Sequence, residues 1–346
     1  MLDFTHDTLA QRVVFASGKA AENLRSEVDR LGASAVMVIA GEADAAEAVC
    51  RGIDPALWHT DVAPHVPVDK AEKARAAARD HGVDLLVCIG GGSTTGLAKA
   101  VALTTGLPIV AVPTTYAGSE ATNVWGMTEQ ARKTTGVDAR VLPTTVVYDA
   151  TLLTSLPVEL TVASGLNALA HGIDSMWAPR TDPINQALAV EAIRALASGL
   201  PVVKDDPSGV AGHERCLYGA YLSAVAFASA GSGLHHKICH VLGGAYDLPH
   251  AQTHAVVLPH VLAFNAPAAP EAAARIGSAL GSDLDSLRRT LDAPTALRDH
   301  GFRESDIDEA ADLILPVVPP TNPRPVTRES LVRLLRDAWA GAEERR

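Results

Sequence analysis

The chain has 346 residues, 47% of them apolar and 4% aromatic, enough to bury more than one hydrophobic core. Its 29 Lys and Arg stand against 40 Asp and Glu, a formal net charge of −11. So acidic a chain repels phosphate backbones and anionic lipid, which argues against nucleic-acid and membrane partners and obliges any anionic substrate to find a locally positive pocket.

The first residues carry Asp3, His6 and Asp7 where a secretion signal needs an apolar core. Cys50, Cys88, Cys216 and Cys239 are scattered, with no CxxC pair. A cytoplasmic protein without disulfides is therefore expected. No run reads as long enough to span a membrane. Residues 12–16 (RVVFA) read as a strand and 20–31 as a helix; 35–40 (AVMVIA) form a second strand, and 69–81 a helix of strong helix formers. Residues 84–89 (DLLVCI) are a continuously apolar strand, followed by a helix over 96–103 and strands at 108–112 and 144–148. Apolar strands alternating with helices imply a parallel sheet covered on both faces. From Pro157 the pattern turns helical, with helices expected at 157–178, 183–199, 213–230, 233–243 and 253–265. Five prolines in 316–325 demand an extended connector, and a last helix follows, capped by Thr327. The expected organisation is an α/β dinucleotide-binding domain over 1–157 and an all-α substrate domain over 158–346.

Two loops at strand ends suit a nucleotide. Gly90, Gly91, Gly92 and Ser93 stand between a strand and a helix, where small residues let a phosphate approach the amides of the helix N-terminus. This is not the GxGxxG fingerprint of an ordinary dinucleotide fold. The second loop, 113–120 (PTTYAGSE), brings Thr114, Thr115 and Ser119 to the end of the next strand. A ligand-free turn is the bland reading of each loop, and the two together favour a nucleotide. Glu42, after the second strand, is a candidate acceptor for ribose hydroxyls, and no Arg stands near it for a 2′-phosphate; NADH, with NADPH tolerated, is the expected cofactor.

Five histidines crowd residues 235–254: His235, His236, His240, His250 and His254. His236 and His240 share a helical face, as do Asn167 and His171 on another helix. Imidazoles so spaced suit a transition metal. Asn167, however, offers a neutral amide where a divalent ion wants an anion, so a metal is not expected to be required. Without one, imidazoles beside Lys237 would make a positive, proton-donating pocket for a small dicarboxylate.

These residues together resemble the iron-containing alcohol dehydrogenase family, whose fold is that of dehydroquinate synthase. The resemblance covers GGGS, the 113–120 loop, Lys133 ten before Pro143, the 155–157 junction and the two histidine-bearing helices. It implies that Gly91, Gly92, Ser93, Thr114, Thr115 and Ser119 hold the dinucleotide, with Lys133 near the nicotinamide. It also implies that the family's metal ligands, one Asp and three His, fall on Asn167, His171, His236 and His250, here a vestigial set. His240 matches a non-ligand histidine beside the nicotinamide. Asn167, the shortened threonine loop, and the strings GLNALAH, GLHHKICHVLGG and NPRPVTRE resemble one branch of that family, the maleylacetate reductases. The branch implies reduction of maleylacetate, or a substituted analogue, to 3-oxoadipate by NADH or NADPH in aromatic-compound degradation, by a homodimer. In that reading His236 and His250 stabilise the enolate oxygen with His171 in support, His240 donates a proton, and Lys237 and His235 bind a carboxylate. The alternatives are a metal-dependent alcohol dehydrogenase acting on a small alcohol or aldehyde, a lyase of the dehydroquinate synthase kind, and a non-catalytic nucleotide-binding scaffold.

Overall fold

The structure, a computed structural model, describes residues 3–41, 43–129 and 132–341, with the backbone alone at 43–45, 132 and 133. The first half contains β1 (Arg12–Phe15), α1 (Ala20–Leu31), β2 (Val36–Ala40), α2 (Ala43–Val49), β3 (Leu57–His59), α3 (Val68–Asp80), β4 (Leu85–Gly90), α4 (Gly92–Thr105), β5 (Ile109–Pro113), β6 (Val124–Glu129), β7 (Arg132–Val137) and β8 (Thr145–Tyr148). Then come α5 (Val158–Ser175), α6 (Pro183–Asp205), α7 (Val210–Ala230), α8 (Leu234–Tyr246), α9 (His250–Asn265), α10 (Pro270–Leu280), α11 (Leu284–Thr290), α12 (Ile307–Ile314) and α13 (Arg328–Ala340).

Six strands form a sheet in the order β1-β8-β5-β4-β2-β3, every pair parallel. Successive side chains leave a strand on opposite faces, and here both faces are covered. Met37, Ile39, Leu86, Cys88 and Ile109 pack with Ala71, Leu97 and Val101 on one side. Val36, Val38, Leu85, Val87 and Val110 pack with Leu24 and Val28 on the other. That double burial is why these strands read as unbroken apolar runs. The sequence reading missed β3 and the antiparallel hairpin of β6 and β7, whose VWGMTE and RKTTGV lack an apolar core. The chain steps from β2 outward to β3 and then crosses back to β4 on the far side of β2. Ligands in open parallel sheets bind beyond the carboxyl ends at such a reversal, here at Ala40 and Gly90.

The chain divides into two compact units. One holds Leu9–Leu156 with Ser208–Leu217; the other holds Met1–Thr8, Pro157–Pro207 and Tyr218–Arg346. Two short segments thus fall outside the expected split at residue 157. The His6 ring nitrogen lies 2.9 Å from Asp182 Oδ2 in the helical unit, and the Ser17 hydroxyl donates to Glu214 over 2.6 Å in the α/β unit. The second correction concerns α6. It was expected to stop near residue 199 and no run was expected to match a membrane span, yet α6 continues through Pro201 to Asp205 and is long and apolar enough to cross one. Its buried Asn185, Ala189, Ala192, Leu196, Leu200 and Val203 recur every three or four residues, against α5 and α10, while Glu191 and Arg194 pair on the opposite side.

Candidate active site

In the α/β unit the two predicted loops meet. Helix α4 begins at Gly92, four residues before the expected start, so Gly91 is its N-cap and no side chain caps it. Gly90 has φ +151°, and a Cβ there would stand 2.5 Å from Thr94 Oγ1. A Cβ on Gly91 would come within 3.0 Å of the Thr115 side chain, and Thr114 N donates to Gly90 O over 3.1 Å. Gly91, Gly92, Ser93, Thr114, Thr115 and Ser119 are all half-buried. They surround the open amides of a helix N-terminus, an arrangement suited to an anion such as a pyrophosphate.

Two buried ionisable groups brace the end of the threonine loop and the segment that follows it, and the sequence reading singled out neither. Lys99 on α4 is 1% exposed, and its ammonium donates to Thr122 O, Thr122 Oγ1 and Val124 O at 2.8–3.0 Å. Burying an ammonium costs several kcal/mol, which these three acceptors offset in part; burial pulls its pKa down to about 7. Glu120, also buried, accepts from Tyr148 OH at 2.7 Å, and burial pushes its pKa up. Lys133 lies on β7 opposite Thr128, but its side chain falls outside the described residues, as does Glu42 altogether.

In the helical unit α5, α8 and α9 bring the imidazoles together, and α7 adds Phe227. His171 and His236 stack at 4.7 Å between centroids and 10° between planes, with Phe227 against both. His254 lies 4.9 Å from His236 and 4.4 Å from His250, and His240 lies 6.0 Å from His236. Buried atoms without a hydrogen-bond partner gather here: Asn167 Oδ1, His171 Nδ1, His235 Nδ1, His236 Nε2 and His254 Nε2. His240 and Lys237 are half-buried and His250 is exposed.

Asp174 is the group that the sequence reading missed. It is 1% exposed, its Oδ2 lies 2.8 Å from His236 Nδ1, and it accepts from Gly233 N at 2.9 Å and, more loosely, from His235 N and His236 N at 3.4 Å. It therefore caps α8 from a different helix, where an anion is favoured. A signal was present: Asn167, His171 and Asp174 stand at i, i+4 and i+7, one helical face. Burial pushes its pKa up to about 7, against those N–H donors. With the carboxylate ionised the shared proton sits on Nδ1, and Nε2 of His236 presents a lone pair.

The positive imidazole pocket expected from sequence is not what the helices build. Burial lowers His171 to about 4 and His235 to about 3, and drives His236 and His254 well below the ordinary histidine value, mutual repulsion adding to the effect for the last three. These four rings are neutral near neutral pH. Positive charge comes from Lys237. Nε2 of His236 is an acceptor while Asp174 is ionised and a donor once Asp174 is protonated and itself donates to Nδ1. His235 is 1% exposed with Nε2 2.9 Å from His254 Nδ1, so it does not bind a carboxylate as expected.

Comparison with known proteins then assigns the chain. Residues 10–150 match the model of the family described as iron-containing alcohol dehydrogenase, and 161–339 that of the Fe-containing alcohol dehydrogenase family, C-terminal. This chain belongs to the iron-containing alcohol dehydrogenase family. It is an oxidoreductase. Maleylacetate reductase 2 of Cupriavidus pinatubonensis is 46% identical over 95% of each chain. A crystal structure described as an iron-containing alcohol dehydrogenase from Corynebacterium glutamicum is 60% identical, with a TM-score of 0.96 over 99% of this chain and 98% of that one. The maleylacetate reductase structure from Agrobacterium tumefaciens is 40% identical, with a TM-score of 0.93 over 99% of both chains.

The family's name implies iron, and the positions that the resemblance gives to its ligands are a weaker donor set for a divalent ion than the family's Asp and three His. Asn167, His171, His236 and His250 contain no anion. Lone pairs lie in the ring planes, and the stacked rings of His171 and His236 aim theirs along separate planes rather than at one point.

Proposed function

We propose that this oxidoreductase reduces the carbon–carbon double bond of maleylacetate, or a substituted analogue, to 3-oxoadipate, with NADH preferred and NADPH tolerated. The observation that carries this reading is end-to-end similarity to proteins named maleylacetate reductase, at 41–46% identity over at least 95% of this chain. The α4 N-terminus and the threonine loop hold the dinucleotide. NADH supplies a hydride to the alkene carbon β to the ketone, charge develops on the enolate oxygen, and a proton then reaches the α carbon, so one hydride and one proton account for the product. His250 and Lys237, the accessible donors of the helical unit, serve the enolate oxygen and a substrate carboxylate, and half-buried His240 delivers the proton. His171 supports the site by packing. No step uses a metal at Asn167. The protein works as a cytoplasmic homodimer in aromatic-compound degradation.

A second reading, a metal-dependent alcohol dehydrogenase, is favoured by the description of the Corynebacterium structure. The experiment that separates the two follows NADH and NADPH oxidation with fresh maleylacetate before and after chelator treatment. Rapid oxidation that survives the chelator is the expected result. Activity that vanishes and returns with Fe²⁺ or Zn²⁺, or oxidation only with an aldehyde, would establish the second reading.

A further inference from the structure

The helical unit contains a second donor set, none of whose members belongs to the family's ligand positions. His235 and Cys239 stand one turn apart on α8, and His254 faces them from α9. One ligand atom from each lies within 4.8 Å of the other two, and the three side chains are 1%, 1% and 0% exposed. His235 Nε2 is 2.9 Å from His254 Nδ1 and 3.7 Å from Cys239 Sγ. In a tetrahedral zinc site the N···S edge is about 3.6 Å and the N···N edge about 3.4 Å. The His235–Cys239 edge is already in place, the two imidazoles need to part by about half an ångström, and Cys239 and His254, whose ligand atoms lie within 4.8 Å, close the third edge by a shift of their side chains.

We propose that His235, Cys239 and His254 form a buried binding site for a borderline-soft transition ion, with Zn²⁺ the natural occupant. Cys239 supplies the anion that the set around Asn167 lacks. On binding, the thiol gives its proton to solvent and a sulfur–metal bond forms, so one positive charge of the ion is neutralised at the site. The three protein ligands leave a fourth coordination position for water. Burial means that the ion enters while the chain folds and that a chelator does not strip it afterwards. The site links α8 to α9 as a structural clamp, whatever the substrate.

The test is metal content per chain, by elemental mass spectrometry, after expression with added Zn²⁺ and exhaustive chelation of the folded protein. The expected result is a stoichiometric ion in the unaltered chain and in His250→Gln, and background levels in Cys239→Ser and His254→Gln. An unaltered chain without stoichiometric metal, or an ion lost in His250→Gln but kept in Cys239→Ser, overturns the proposal. Should the Cys239 variant misfold, the unaltered chain grown with Co²⁺ decides the matter. A near-ultraviolet thiolate-to-cobalt charge-transfer band supports the site, and bound cobalt without that band overturns it.

Discussion

At the scale of the residue, the site rests on groups whose sequence signal was partial. The histidine crowding was legible, because five imidazoles in twenty residues are improbable without a shared purpose; their charge was not. Charge depends on burial, and spacing says nothing about which ring meets water. Asp174 illustrates what this costs: its helical face was readable, but its role as a cap for α8 is a tertiary contact 59–62 residues away along the chain. Replacing it with Ala removes the acceptor of one imidazole N–H and of the first amides of α8. Stability should fall by about 3 kcal/mol, measured by urea unfolding, and an unchanged midpoint would refute the capping role. His240→Gln should lower kcat by about a hundredfold while KM for NADH stays within twofold or so; a near-normal kcat would remove His240 from proton delivery.

At the scale of the element, helix starts carry the function. The glycines of GGGS read as loop in the sequence, and the expected helix starts only at Gly96, because glycine is a poor helix former. In fact Gly92 is already helical, and what the glycines provide is approach: Gly91 lies against Thr115, so any side chain there separates the two loops. Gly91→Ala should weaken NADH binding at least tenfold or so in a fluorescence titration, with thermal stability little changed. The last helix shows the opposite case. Thr327 and Ser330 form a reciprocal capping box at α13, and the Thr327 cap was legible because N-caps are local chemistry. Thr327→Ala should cost about 1 kcal/mol by the same unfolding measurement, with activity retained.

At the scale of the whole molecule, the alternation of strands and helices and then helices alone was enough to separate an α/β half from a helical half. The two exchanged segments were not legible, since single contacts such as Ser17 with Glu214 fix them. Burying neutral imidazoles also makes the protein's stability depend on pH. His171 titrates near 4 in the fold and near 6.5 when unfolded, so between those values the unfolded chain binds more protons. The contribution is fully present above about pH 6.5 and is lost as pH falls toward 4, on the order of 3 kcal/mol for this residue; His235 acts in the same direction. Burial raises Asp174 and Glu120 and so opposes this trend; a His171→Leu variant should therefore lose less stability with acid between about pH 6.5 and 4 than the unaltered chain, and identical profiles would contradict the burial. The central claim, conjugate reduction by a nicotinamide, is tested most directly by tracing deuterium from labelled NADH into the product of maleylacetate turnover. The account predicts deuterium on the carbon β to an intact ketone. Deuterium on a newly formed carbinol carbon would contradict it.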